Sequence, residues 1–239
     1  MQYIKEKKEK DCKKCKMKGS TTEMEGLKEK IDLLVSSFEK ILYDEDDIFL
    51  KNMETKNLAG DDTGRYRYWE WTQGVGLFGL WKIYEETGDQ AFLEKLKRYY
   101  ERQLAVGLPA RNVNTTAPLL ALSYLAEKTG NEAYMEICRE WAGWLVRGLP
   151  RTEEGGFQHL TSDTLNEGEL WDDTLFMAVL FLARMGVLEN NRKWKEEALY
   201  QFLLHTKYLA DKKSGLWYHG WTFKGRHNFA GAFWGRGNS

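Results

Sequence analysis

Residues 84–109 read YEETGDQAFLEKLKRYYERQLAVGLP, and residues 126–150 read AEKTGNEAYMEICREWAGWLVRGLP. In both stretches a Thr-Gly pair and an Asp or Asn precede an amphipathic segment that ends in Gly-Leu-Pro. The Thr-Gly pairs are 42 residues apart (129 minus 87), and the Gly-Leu-Pro triplets are 41 apart (148 minus 107). Gly takes the left-handed position that ends a helix, and Pro cannot continue one. The repeat therefore predicts a series of helical hairpins.

Helical spacing of the apolar residues extends this pattern over most of the chain. One apolar stripe begins at Met24 and ends at Leu42. Further helices are predicted at about 72–86, 90–106, 118–128, 132–147, 170–185 and 192–210. Strand patterns are nearly absent, and the one candidate is a short hairpin within 215–223. The predicted fold class is all-α.

The connections between the helices distinguish two architectures. Short turns alternate with three long segments rich in Gly and aromatic residues, at 43–71, 151–171 and 211–234. An open solenoid of the HEAT kind usually binds protein, whereas a closed helical barrel usually holds a small molecule. Long segments gathered at one end would form a one-sided cleft, where function concentrates. The pattern favours a barrel, and a HEAT-like protein-binding scaffold is the alternative.

The charge balance and the N-terminal segment limit the possible partners. Lys plus Arg is 35 and Asp plus Glu is 36, so the formal net charge is -1, without the basic excess that nucleic-acid binding requires. No apolar run approaches the roughly 20 residues of a membrane-spanning helix. Residues 1–20 are Lys-rich, lack the apolar region of a signal peptide, and are predicted to be a disordered tail before a catalytic domain at 21–239. We expect a cytoplasmic protein with neither nucleic acid nor membrane as partner.

The three cysteines also fit a reducing compartment. Cys12 and Cys15 form a single C-x-x-C within the tail, and Cys138 lies far away in the sequence. A structural zinc site needs two further ligands nearby, and none follow. The sequence therefore predicts no metal site.

Tryptophans and polar residues concentrate on the long segments or beside them. Six of the ten tryptophans belong to this group: Trp69, Trp71, Trp171, Trp217, Trp221 and Trp234. The same segments carry amides, carboxylates, histidines and arginines. Aromatic rings stack on the C–H faces of sugars, while such polar groups bind hydroxyls and carboxylates. This combination predicts a sugar site, with packing as the alternative role for each ring.

An aspartate pair, Asp172-Asp173, stands directly before an apolar helix. One of the two is expected to cap that helix, because Asp is a favoured N-cap and the helix dipole favours negative charge there. The other, beside Trp171, is a candidate general acid whose pKa apolar surroundings would raise. His219 lies in a loop of glycines and aromatic residues, as either a hydrogen-bonded structural group or a site residue. Arg236 is expected to bind a substrate carboxylate or to form a surface ion pair.

Six motifs follow one another between about residue 66 and the end of the chain: WTQGV at 71–75, YEETGD at 84–89, NVNTTAP at 112–118, LWDDTL at 170–175, GLWYHGW at 215–221 and WGRGNS at 234–239. Together they resemble the unsaturated rhamnogalacturonyl hydrolases, glycoside hydrolase family 105. The unsaturated glucuronyl hydrolases of family 88 share a more diluted version. The resemblance implies an intracellular enzyme whose six helical hairpins form an (α/α)6 barrel.

The resemblance also implies roles for individual residues. Asp173 becomes the catalytic acid and base, and Asp172 a cap or supporting group. Asn112 falls where the glucuronyl relatives place a second aspartate, so a mechanism with two carboxylates is not expected. The residues implied to bind the sugar are Trp71, Asn112, Trp171, His219, His227 and Arg236. No metal and no organic cofactor is implied.

The implied reaction hydrates the 4,5 double bond of an unsaturated galacturonate linked to rhamnose, a product of pectin lyases. Another glycosidase or a sugar epimerase on the same barrel is the enzymatic alternative. Ser239 falls where the next inner helix is expected to begin, so at least two hairpins of the barrel are expected to be missing. The sequence leaves the oligomeric state open.

Overall fold

The computed structural model describes residues 21–43, 66, 68–229, 231 and 233–238. The chain divides into two compact units, Met1–Tyr43 and Asp44–Ser239. In the first unit, helix α1 spans Thr21–Ile41, as the apolar stripe predicts. The predicted tail at 1–20, with its C-x-x-C, lies outside the described residues.

The second unit is helical, which confirms the predicted all-α class. Its elements in chain order are α2 Trp71–Thr87, α3 Gln90–Val106, α4 Val113–Thr116, α5 Pro118–Thr129, α6 Glu132–Arg147, β1 Glu169–Trp171, a π-helical turn Leu175–Val179, α7 Leu180–Leu188, α8 Arg192–Leu209, β2 Gly220–Thr222 and a 3₁₀ turn Arg236–Asn238.

Local capping explains the repeated hairpins. Helices α2 and α5 end at Gly88 and Gly130, whose φ angles of 71° and 66° are left-handed. The next helix then starts at an Asp or Asn whose side chain accepts a backbone N–H: Asp89 from Ala91 and Asn131 from Tyr134. Each Thr-Gly-Asp or Thr-Gly-Asn triplet thus ends one helix and begins the next.

The helices form two layers. Helix α5 packs against both α2 and α7, and these three make the inner layer. Helices α3, α6 and α8 pack against the outside of their hairpin partners. The core of α5 is fully enclosed, with Leu119, Leu122 and Leu125 each 0% exposed. Burying a leucine side chain stabilises the fold by about 1.5–3 kcal/mol, so this helix is the centre of the described fold.

Two expectations about the long segments were wrong. The helix predicted from residue 170 begins only at Leu175, because residues Glu169–Trp171 form a strand instead. That strand pairs antiparallel with Gly220–Thr222, with Leu170 opposite Trp221. Residues 215–223 therefore hold a strand but not the predicted local hairpin, since the partner strand lies about fifty residues earlier in the chain.

The outer surface of α7 and α8 is apolar. Val187, Leu199 and Leu203 are each more than half exposed, and an apolar groove of about 560 Å³ runs between the two helices. Within the described residues, no helix combines the length and hydropathy that crossing a bilayer would need.

Candidate active site

The small sheet positions the aspartate pair. Asp172 directly follows β1, and its N–H donates to the carbonyl of His219 at 3.0 Å, which extends the pairing with the β2 region by one bond. The chain then turns into the π-helical turn, where Met177 N–H donates to the Asp173 carbonyl at 3.0 Å. Single π-helical turns are frequent at functional sites. Here the turn places Asp173 at the start of an inner helix.

Asp172 is held in place on all sides. Its Oδ1 accepts from His219 Nδ1 at 2.7 Å and from the backbone N–H of Asp173 at 2.8 Å. On the other side, a Cβ at Gly237 would lie only 1.7 Å from Asp172 Oδ2. The residue is 6% exposed. Asp172 therefore orients two neighbours, the His219 ring and the backbone of Asp173.

Asp173 has a different environment. Its side chain is 13% exposed, and its Oδ1 lies 3.6 Å from His159 Nδ1. Burial, together with smaller contributions from the nearby His219 and His205, lowers the pKa of His159 to about 3. His159 is thus neutral at physiological pH.

His159 also forms the wall behind the aspartates. Its ring stacks on Trp171 with centroids 4.6 Å apart and planes at 10°, and its Nδ1 lies 2.7 Å from Thr174 Oγ1. His219 packs edge-on against the same tryptophan at 4.7 Å. Trp171 therefore separates two histidines and fixes both rings. His159 is one of the histidines of the long segments from which the sequence predicts a sugar site, but nothing local to it predicts the stacking on Trp171.

Two cavities meet at Asp173. The polar cavity, of about 290 Å³, is lined by Trp71, Asn114, His159, Thr161, Asp163, Thr164, Asn166, Trp171, Asp173, Met177, His219 and Trp234. The aromatic cavity, of about 410 Å³, is lined by Val75, Asp172, Asp173, Leu175, Phe176, Met177, Phe202, Trp217, Trp234 and Gly237. Asp173, Met177 and Trp234 belong to both linings, so Asp173 lies where the two cavities meet.

The structure brings four of the predicted site residues to the polar cavity: Trp71, Trp171, Asp173 and His219. It places Asn112 and His227 elsewhere. Asn112 is fully buried; its Nδ2 donates to Ser162 Oγ at 2.9 Å, and its Oδ1 accepts from Thr115 N–H at 3.0 Å. Its neighbour Asn114 lines the cavity instead.

His227 and Arg236 are the remaining two predicted site residues. His227 is exposed on the turn after β2, where it pairs with Thr222 through the backbone. It lines neither of the two cavities. The backbone of Arg236 begins the 3₁₀ turn beside Asp172, and its side chain lies outside the described part of the structure.

Glu70 is a site residue that the sequence did not single out. It precedes α2, and burial raises the pKa of its carboxyl to about 7. Its Oε1 accepts from Ser162 Oγ at 3.3 Å, and its Oε2 accepts from the backbone N–H of Trp71 at 3.4 Å. The contact with Ser162, in a loop some ninety residues later in the chain, helps to enclose Glu70, and such a contact has no sequence signal.

One group of described residues has the spacing to hold a cation. Asp172, Asp173 and His219 each offer a ligand atom within 4.8 Å of the others. His219 Nδ1 and Asp172 Oδ1 of this group are joined to each other by a hydrogen bond of 2.7 Å.

Known proteins are similar to the part of the chain that carries this site. The family model described as Glycosyl Hydrolase Family 88 matches residues 44–239. The unsaturated rhamnogalacturonyl hydrolase YesR of Bacillus subtilis is 34% identical over 176 residues, which are 71% of this chain and 50% of that protein.

Solved structures are also similar to this chain. A possible member of the GH105 family from Klebsiella pneumoniae is 49% identical, with a TM-score of 0.70 over 71% of this chain and 45% of the other. A family 105 glycoside hydrolase of C. acetobutylicum, 23% identical with a TM-score of 0.60 over 83% of this chain and 54% of the other, shares the fold. The chain spans about half the length of these relatives.

Proposed function

Because this chain belongs to glycosyl hydrolase family 88, we propose that it acts on oligosaccharides that end in a 4,5-unsaturated uronic acid. The observation that carries the proposal is a single carboxyl group, Asp173, at the junction of a polar and an aromatic cavity. The name of the relative YesR supports a galacturonate linked to rhamnose as the finer substrate. No cofactor takes part in the proposed reaction. The predicted cytoplasmic location stays a proposal, supported by the buried free thiol of Cys138.

Asp173 supplies the proton in this reaction. The substrate is a vinyl ether, and protonating its C4 leaves an oxocarbenium-like cation at C5 that water attacks. The resulting hemiketal opens and releases the neighbouring sugar. One carboxyl group first gives a proton and then accepts one from water, so no opposed second carboxylate is required.

Asp172 and His219 assist by orientation. Since the Asp172 carboxylate accepts from Nδ1 of His219, the other ring nitrogen, Nε2, is left to face the polar cavity. The same carboxylate fixes the backbone of Asp173 through its N–H. Asp172 thus positions both a binding group and the proton donor.

The two cavities fit two sugar units. The polar cavity combines aromatic rings with amide, hydroxyl and imidazole groups, which suits the uronate ring. The aromatic cavity, with Phe202, Trp217 and Trp234 in its lining, suits the C–H face of the next sugar. A bond between the two units would then lie beside Asp173.

The test compares Asp173→Asn with Asp172→Asn in the 1–239 chain. The substrates are lyase-generated pectin disaccharides, and loss of the near-ultraviolet absorbance of the double bond measures turnover. An amide cannot protonate C4, so Asp173→Asn should lower turnover by about 10²–10⁴-fold while tryptophan fluorescence still reports binding. Asp172→Asn should lose less.

A matched saturated disaccharide is the control. Turnover of that sugar would favour the glycosidase or epimerase alternative. A wild-type chain whose fluorescence responds to no uronate would count against the proposed substrate class. Unchanged turnover in Asp173→Asn would remove Asp173 from the mechanism.

A further inference from the structure

The side chain of Asn238 pairs with the backbone of Trp217 in the manner of a neighbouring β-strand. Its Oδ1 accepts from the Trp217 N–H at 2.6 Å, and its Nδ2 donates to the Trp217 carbonyl at 2.9 Å. Nδ2 also donates to the Trp234 carbonyl at 3.0 Å. A side-chain amide offers an acceptor oxygen and an NH₂ donor group, and these three bonds engage both. They therefore fix the orientation of the Asn238 amide.

Both tryptophans that Asn238 binds are walls of the aromatic cavity. The ring of Trp217 packs near that of Phe202, another lining residue, with centroids 6.2 Å apart. Trp234 also lines the polar cavity, where its ring packs on His219 with centroids 4.2 Å apart. Asn238 itself lines neither of the two cavities. Any effect of Asn238 on a substrate must therefore act through the tryptophans whose backbones it joins.

The two segments that carry these tryptophans also have contacts that do not involve Asn238. Phe233 and Tyr218 form an antiparallel bridge, and their rings lie 4.8 Å apart. Trp217 forms a second bridge with Ala210, the residue that follows α8. These contacts should keep the chain folded when Asn238 is replaced. Asn238 adds a direct link between the backbones of the two cavity walls.

We propose that Asn238 is a positioning residue that sets the separation of Trp217 and Trp234, and thereby the binding of the sugar next to the uronate. The inference rests on the proposed function, in which the aromatic cavity holds that second sugar. Aromatic walls bind such a ring through close contact with its C–H face. A gap of about 0.5–1 Å loses about a quarter to a half of the dispersion attraction. A small displacement of either wall is therefore enough to weaken binding.

Two substitutions separate the hydrogen bonds of Asn238 from the space that it fills. Asn238→Ala removes all three bonds. Asn238→Asp keeps the size and the acceptor oxygen, but it places a second oxygen against the carbonyls of Trp217 and Trp234. Asn191→Ala is the matched control, because Asn191 Oδ1 also accepts a tryptophan backbone N–H, that of Trp194, at 3.3 Å. Neither Asn191 nor Trp194 lines the two cavities.

The positions of the two rings are measured first, without any sugar. The chain is labelled with fluorotryptophan, and the fluorine NMR signals of Trp217 and Trp234 are identified by their loss in Trp217→Phe and Trp234→Phe. Both signals should shift or broaden in Asn238→Ala and in Asn238→Asp. They should keep their wild-type positions in Asn191→Ala. Signals of both rings that stay unchanged in Asn238→Ala would overturn the positioning role whatever the sugars do.

Binding calorimetry then measures the consequence. The ligands are galacturonate and the disaccharide in which galacturonate is linked to rhamnose. Asn238→Ala and Asn238→Asp should lower the affinity for the disaccharide by about 3- to 10-fold, the range that one hydrogen bond contributes. Galacturonate should lose less, because Trp217 lines only the aromatic cavity, and Asn191→Ala should change neither affinity. Equal losses for both sugars would mean that Asn238 does not act on the second sugar.

A double-mutant cycle tests whether Asn238 acts through the tryptophan ring. Trp217→Ala removes the ring but keeps the backbone groups that Asn238 binds. The combined loss of disaccharide affinity in Trp217→Ala with Asn238→Ala should therefore be smaller than the sum of the two single losses. Additive losses would contradict the proposal. Fluorine signals that move in the Asn238 variants while no uronate binds to the wild-type chain would count against the proposed function and leave the positioning of the rings standing.

Discussion

Replacing His205 with leucine should remove part of the acid sensitivity of the fold. His205 lies on α8 and is 0% exposed. Its Nδ1 donates to the Gln201 carbonyl at 2.7 Å, and its Nε2 is buried without a hydrogen-bond partner among the described residues. Burial lowers the pKa of the ring to about 4, against a smaller raising effect of the Gln201 bond and of Asp172.

The sign and size of the effect follow from proton linkage. Between about pH 6.5 and pH 4 the unfolded chain binds a proton at this histidine and the folded chain does not, so stability falls as the pH falls. From the two pKa values, the loss between about pH 7 and about pH 5 is about 2 kcal/mol. His159, with a pKa of about 3, adds a loss of about the same size. Glu70 changes the stability in the opposite direction. Burial raises its pKa to about 7, so the folded chain takes up this proton at a higher pH than the unfolded chain does, and Glu70 adds stability as the pH falls.

Urea denaturation of wild type and His205→Leu at the two pH values measures the difference. The decrease in unfolding free energy on acidification should be smaller in the variant by about 2 kcal/mol, since leucine does not titrate and both other groups remain. Leu209→Ala is the control: its buried side chain makes it less stable at both pH values without changing the decrease. An identical decrease in wild type and His205→Leu would refute the reasoning.

Two other pairs of variants test the packing. Leu122→Ala, at a fully buried position of α5, should lower the unfolding free energy by about 2–5 kcal/mol. Leu203→Ala, at a position 56% exposed, should change it by less than about 1 kcal/mol, and equal losses would contradict the assigned layers. Gly237→Ala should displace the 3₁₀ turn from Asp172, because its Cβ would overlap the carboxylate, and should lower both uronate binding and turnover. Gly231→Ala, where a Cβ meets nothing within 4 Å, should leave binding unchanged.

The hairpins were predictable because their signals are local. Asp89 accepts the N–H of Ala91, two residues away, and Gly130 ends its helix through its own φ angle. Such interactions depend only on a short stretch of chain, so a repeat of residue types becomes a repeat of structure. The same argument explains why helix boundaries near 71–87 and 132–147 came within a residue of their predicted positions.

The site was less predictable because its contacts are distant in sequence. Strand β1 forms only where β2 supplies its partner, so apolar spacing alone predicted a helix there. Asn112 and Asn114 look equivalent in the motif NVNTTAP, yet the first caps α4 and the second faces the cavity. The position of each asparagine relative to the start of α4 determines where its side chain lies. Asn112 is the N-cap, and a capping side chain folds back on its own helix.

The aspartate pair shows how adjacent identical residues acquire different chemistry. Asp172 continues the strand pairing through its N–H to the His219 carbonyl, so its side chain is enclosed between His219 and Gly237. Asp173 is the first residue beyond that pairing, and its side chain reaches both cavities. Two donors hold the Asp172 carboxylate in place, whereas Asp173 lines both cavities. The end of β1 therefore determines which of the two aspartates lies at the proposed substrate site.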